Sequence, residues 1–119
     1  MEILTVATPE ERLREVLAGV KENVVVCRHT HVQFDRVCEG KRVVNAGSIG
    51  MPYGDPGAYW LLLGPHVSLR KTNFDLEGAA ELVRKSGYPL AQDFADKTIL
   101  KPETAQEAIE YFERMAVNG

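Results

Sequence analysis

Two of the chain's three histidines, His29 and His31, stand two residues apart, directly after the apolar run Val24-Val25-Val26-Cys27. If strand geometry continues through them, residues i and i+2 point the same way. Two imidazoles at the C-terminal end of a strand then converge on one ion or on a pair of ions, and imidazole suits transition metals such as Zn, Fe and Ni. The plainer alternative is two surface histidines on a turn. Cys27, His29, His31 and Cys38 make a second candidate, a tetrahedral zinc set by ligand type, although their spacing matches no standard zinc pattern. Cys27 beside a histidine is a nucleophile pair by residue type alone, since a cysteine closing a buried strand is more often a small core residue. Asp35 offers a carboxylate that nothing in the sequence positions. The glycine-rich stretch 47–57 lacks the Gly-Lys-Ser/Thr ending of a P-loop, and Tyr53, Tyr59 and Trp60 read as packing residues.

The elements that must position these residues follow from pattern. Residues 3–6 form a short β-prone run. Thr8-Pro9-Glu10-Glu11 reads as a helix start, with Thr8 as N-cap, Pro9 at the first helical position and Glu11 closing a capping box. Leu13, Val16, Leu17 and Val20 give that helix an apolar face, and Asn23 ends it. The unbroken apolar run over Val24–Cys27 predicts a buried strand. Residues 32–38 and 42–45 predict a hairpin around Glu39-Gly40-Lys41, and residues 45–56 a loop rich in Gly and Pro. Strands over 58–63 and 67–74 turn at Gly64-Pro65-His66. Asp75 caps a helix carrying Leu76, Ala79, Ala80 and Val83, which Gly87 and Pro89 stop. A short helix covers 91–97. A last helix starts near Pro102, with Ala105, Ala108, Ile109, Phe112 and Met115 or Ala116 on its apolar face. The expected fold class is α+β: a helix, an antiparallel β-meander, then helices, in one domain over 1–119.

Composition narrows the function. With 119 residues, 45% hydrophobic and 26% charged, the chain fits one small globular domain. A formal net charge of -3 gives no basic footprint for nucleic acid. No apolar run is long enough to cross a bilayer, and the N-terminus lacks the basic-then-apolar pattern of a secretory signal. Two cysteines are too few for a disulfide scaffold. One bridge between them is possible but unmotivated, so a reduced, cytoplasmic protein is the expectation.

Read with its flanks, Arg28-His29-Thr30-His31 resembles the Gly-His-Thr-His motif that closes the active site of calcineurin-like metallophosphoesterases. The segment Gly40-Lys41-Arg42-Val43-Val44-Asn45-Ala46-Gly47-Ser48 is similar to that family's Asn-Pro-Gly-Ser segment after a hairpin. Asp55-Pro56-Gly57-Ala58 and Ser86-Gly87-Tyr88-Pro89 extend the match over residues 8–89, with C-terminal helices over 90–117. The resemblance implies the C-terminal half of a four-layer αββα sandwich, in which two β-sheets pack face to face with helices outside. It implies two divalent ions, Mn or alternatively Zn, Fe or Ni, with His29 on one and His31 on the other. A metal-held hydroxide attacks the phosphorus of a phosphomonoester or phosphodiester in such enzymes. Asn45 and Ser48 would lie on a loop near the site.

Two departures bear on activity. Arg28 stands where the family has Gly, a residue that usually serves an unusual backbone conformation or a close approach. Its fixed charge disfavours a nearby cation yet can grip a phosphate. Ala46 replaces a Pro. More important, the family's upstream ligand motifs have no counterpart: before His29 the chain has no Asp and no other His. Activity alone is therefore expected to be weak or absent. An uncovered apolar sheet face would favour a homo-oligomer, or a partner chain supplying the missing half. The alternatives are a non-catalytic binding or assembly protein that keeps the half-fold, and a small zinc-stabilised domain.

Overall fold

The computed structural model describes residues 2–118. The first helix, α1 (Glu10–Leu17), buries Leu13 and Leu17, four residues apart on one face. Its start departs from the expected capping box. Pro9 takes the N-cap position and no side chain caps the helix. Thr8 turns inward instead. Its hydroxyl accepts from the Thr5 N–H at 2.8 Å and donates to Glu113 of the last helix at 2.9 Å, so a tertiary contact has taken the group that local sequence offered to the helix. The helix also stops at Leu17 rather than Asn23. Val20 lies in the turn beyond and still packs against the core.

Three strands follow: β1 (Val24–Cys27), β2 (Phe34–Cys38) and β3 (Lys41–Asn45), in the order β1-β3-β2. The β2–β3 hairpin forms, with β2 beginning at Phe34 rather than at 32 and Lys41 joining β3 rather than the turn. Glu39 and Gly40, with φ of 52° and 74°, make the two-residue link that matches strand twist. The expected meander is not formed, because β1 lies parallel to β3 on its far side and never pairs with β2. Nor is β1 a fully buried strand. Val25 and Cys27 pack against the core, while Val24 and Val26 on the other face are 41% and 47% exposed. That face is open at the β1 edge, although Val44, beside Val26 on the same face, is fully buried, and a strand needs cover on both faces to be buried.

The core sits between α1 and one face of this sheet, and comprises Leu4, Leu13, Leu17, Phe34, Cys38 and Val43. A separate two-stranded sheet pairs β4 (Ala58–Leu63) antiparallel with β5 (Val67–Thr72), the second strand ending two residues before the expected 74. The helix α2 (Leu76–Arg84) begins as predicted, with the Asp75 carboxylate accepting from the Gly78 N–H at 3.0 Å. It packs against α3 (Ala91–Phe94) and a π-helical turn (Ala95–Leu100) that continues it. The last helix, α4 (Ala105–Asn118), buries Ala108 and Phe112. The chain is thus α+β, and no described helix is long and apolar enough to cross a membrane.

Candidate functional site

The strand ends at Cys27, so pleat geometry does not place the histidines. His29 and His31 each lie at positive φ, 84° and 58°, and the chain turns at both. Arg28 keeps an ordinary φ, so the replacement of Gly at that position carries no backbone strain here. Two polar residues hold the turns. Thr30, buried between the histidines, donates its hydroxyl to the Leu4 carbonyl at 3.1 Å and accepts from the Asn45 amide at 3.0 Å. Asn45 is fully buried; its amide nitrogen also reaches the Arg28 carbonyl at 3.4 Å, and its side-chain oxygen accepts from the Gly47 N–H at 2.8 Å. Asn45 therefore joins the histidine turn to the following loop.

That loop reaches His31. The Ser48 hydroxyl accepts from the Met51 N–H at 3.0 Å, and the Met51 carbonyl lies 2.9 Å from His31 Nδ1. A carbonyl only accepts, so Nδ1 carries the hydrogen, and in the neutral ring Nε2 holds a free lone pair. Gly47 is required where it stands. Its φ is 82°, and a Cβ there would fall 2.8 Å from both Gln33 Cγ and Tyr59 Cβ. The rings are braced by aromatics: His29 lies edge-on to Phe112 at 5.5 Å, Tyr53 lies 6.0 Å from His31, and Tyr53 and Phe112 are 6.2 Å apart.

Arg28, His29, His31 and Ser48 share one open cleft of about 730 Å³ with Glu2, Cys27 and the Gly47–Gly50 backbone. Asn45 is not among the residues lining it; it is fully buried, with both side-chain polar atoms already hydrogen-bonded. Glu2, the cleft's carboxylate, is engaged by Arg12. Asp35 is elsewhere, paired with Arg42 through a 2.9 Å bond to its guanidinium, and that bond holds its carboxyl below the usual range. The four-residue zinc set does not assemble. Cys27 is opposite Asn45 and Cys38 opposite Lys41, which puts the two sulfurs at opposite ends of β3, about 13 Å apart along the strand. Both thiols are free, and that spacing also excludes a bridge between them. Burial pushes the Cys27 thiol up, the wrong direction for a nucleophile.

Among the described residues no group of three or more His, Cys, Asp or Glu could hold a metal ion together. The cleft thus offers two imidazoles, one with its ligating nitrogen pre-set, and no free carboxylate. That donor set does not fit a dinuclear centre by itself. Thr30, Tyr53 and Phe112 are the positioning residues that sequence reading missed. Thr30 stood inside the quoted motif, whereas nothing local connects Phe112 to a histidine 83 positions earlier.

No protein-family model matches the chain, and no curated protein matches it. Among solved structures, the crystal structure of a hypothetical protein from Pyrococcus horikoshii OT3 is similar, with a TM-score of 0.66 at 17% identity. The likeness covers 87% of this chain and 42% of that one, so this chain spans less than half of that protein's length. At this identity the likeness is one of fold.

Proposed function

We propose that this chain supplies the histidine wall of a metallophosphoesterase-like site and corresponds to the C-terminal half of an αββα sandwich. In this reading His29 and His31 are ligands for divalent ions, Mn or alternatively Zn, Fe or Ni. Arg28 meets the phosphate of a monoester or diester, and Asn45 and Ser48 fix the loops around them. The observation that carries the reading is the His31 ring. Its Nδ1 is committed to the Met51 carbonyl, the outer contact that metal-binding histidines typically make, and that leaves Nε2 with the free lone pair. Backbone strain of about 1–3 kcal/mol per residue at unusual φ, falling on these two histidines, fits a functional constraint. A fold likeness to less than half of a longer chain fits a half-site. Free thiols suit a reducing, cytoplasmic setting.

Two neutral imidazoles do not offset the charge of even one divalent ion, so the carboxylates come from outside these residues and the chain alone is weakly active or inactive. No hydrolytic step is assigned to it. Arg28 supports a second reading, a non-catalytic assembly protein on the same half-fold, because a fixed cation at the cleft mouth opposes metal loading. Calorimetric titration with Mn or Zn separates the two. The first reading expects saturable binding that His31→Ala weakens by at least about tenfold and the His29→Ala/His31→Ala pair abolishes. It expects aryl phosphodiester hydrolysis at most marginally faster than that of the double variant. Binding that is absent, or indifferent to both substitutions, leaves the assembly reading.

A further inference from the structure

The molecule exposes more surface than its length requires. Its accessible area is 7740 Å², against roughly 6,400 Å² for a compact monomer of this mass. Its radius of gyration is 16.1 Å and its thinnest dimension 21 Å, where a compact chain of this length has a radius near 13.5 Å, to within about 1 Å. The surplus, about 1,300 Å², exceeds the ~800 Å² per partner that a standard stable interface buries.

The strand edges point to one place on that surface where a partner can seat. In each sheet one edge strand is guarded by charge, β2 by Asp35 and Arg36, β5 by Arg70 and Lys71, as exposed edges usually are. The opposite edges, β1 (Val-Val-Val-Cys) and β4, carry neither charge nor proline. The outer side of β4 is already engaged at its start, where the Tyr59 N–H donates to the Ser48 carbonyl at 3.0 Å. Among the described residues nothing pairs with the outer side of β1. Arg42 donates to the Asn23 carbonyl and Ala46 to the Cys27 carbonyl, so residues 23, 25 and 27 face β3. Val24 and Val26 then direct their N–H and C=O groups outward.

We propose that β1 is the docking edge for a second copy of this chain, with the two β1 strands antiparallel about a two-fold axis in one six-stranded sheet. The pleat limits the register, because outward residues must meet outward residues. Centred on Val25, the pairing sets Val24 of each copy opposite Val26 of the other and exchanges both backbone hydrogen bonds. The exposed valines then form one apolar ladder. Glu22 and Arg28 flank the strand, two residues before Val24 and one after Cys27, and this register brings Glu22 of one copy near Arg28 of the other, at both ends. Both side chains are exposed, and neither has an ion-pair partner among the described residues. Such a contact is self-complementary and closes at two copies. It rests on shape and strand edges, independently of the phosphoesterase reading, and it brings Arg28, at the mouth of the histidine cleft, into the interface.

Size-exclusion chromatography with light scattering tests it on the whole chain. The wild type is expected to elute as a dimer. Val26→Lys, at a half-exposed position, is expected to give a monomer with an unchanged circular dichroism spectrum. Glu22→Arg and Arg28→Glu should each weaken the dimer, and the two together should restore it. A monomeric wild type overturns the proposal, as does a dimer indifferent to Val26→Lys and to both single charge reversals. A double reversal that fails to restore association overturns the register.

Discussion

The three-stranded sheet and the β4–β5 hairpin have strands of similar length and apolar content, yet different forces hold them. In the first, α1 lies on one face, and Leu13, Phe34, Cys38 and Val43 are almost wholly removed from water. In the second, none of the six residues of either strand is buried, although Tyr59, Trp60, Leu61, Leu62 and Leu63 follow one another in β4. Polar staples tether it. The Gln33 amide donates to the carbonyls of Ala46 (3.2 Å), Trp60 (3.2 Å) and Arg70 (3.0 Å), and Lys71 pairs with Asp55 at 3.0 Å. Two strands without a covering layer are marginal in water. An apolar strand sequence therefore sets a demand for burial, and whether it is met depends on which layer folds over it.

This contrast predicts unequal responses to core-type truncation. Leu13→Ala is expected to cost about 2–5 kcal/mol, the range for emptying a packed leucine site. Leu62→Ala, at a position 40% exposed, is expected to cost under about 1 kcal/mol. Urea unfolding of both variants measures the difference. Equal costs would mean that the hairpin is packed in solution, by a second copy or otherwise, and that the contrast holds only for the isolated chain.

Gln33→Ala targets the tether. It removes two N–H donors shared among three carbonyls, an expected loss of about 1–2 kcal/mol at about 1 kcal/mol per bond. The effect should be regional. Amide exchange is expected to quicken in β4 and β5 while α1 and β3 keep their protection. Uniform acceleration would show that the two regions open as one unit.

The difference between the regions also marks what the sequence made legible. Where a signal was local, it held. Asp75 caps α2, Glu39-Gly40 turns the β2–β3 hairpin, and the apolar face of α4 buries Ala108 and Phe112. Where the outcome depended on distant residues, it did not. Three consecutive valines demand burial but do not name a partner. The parallel seating of β1 on β3 and the open face of Val24 and Val26 were accordingly invisible. Thr8 had the right neighbours for an N-cap, and the competing carboxylate, Glu113, lies 105 residues away. The histidine turns depend on Thr30 and Asn45 meeting across 15 residues, so local pattern alone does not choose between a continued strand and the two positive-φ turns that stand there.

The smallest expected effect distinguishes the two faces of the three-stranded sheet. Asp35 and Arg42 pair on the face opposite α1, the same face as Val24 and Val26. The Arg42 hydrogen bond holds the Asp35 carboxyl below its ordinary value. A carboxyl depressed in the folded state adds stability that is present above its unfolded pKa, about 3.9. That stability is lost as pH falls through the folded value. The pair is exposed, so the contribution is small and salt-screened. Arg42→Met should therefore unfold slightly more readily than the wild type at neutral pH, and the gap should close as pH falls through the folded Asp35 value, or in high salt. Carboxyl-carbon NMR titration reads the cause directly, with Asp35 titrating low in the wild type and at the ordinary value in the variant. If Asp35 titrates normally in both, the open face carries no formed ion pair in solution. Val24 and Val26 would then remain as its exposed apolar edge, the surface that a second copy would cover.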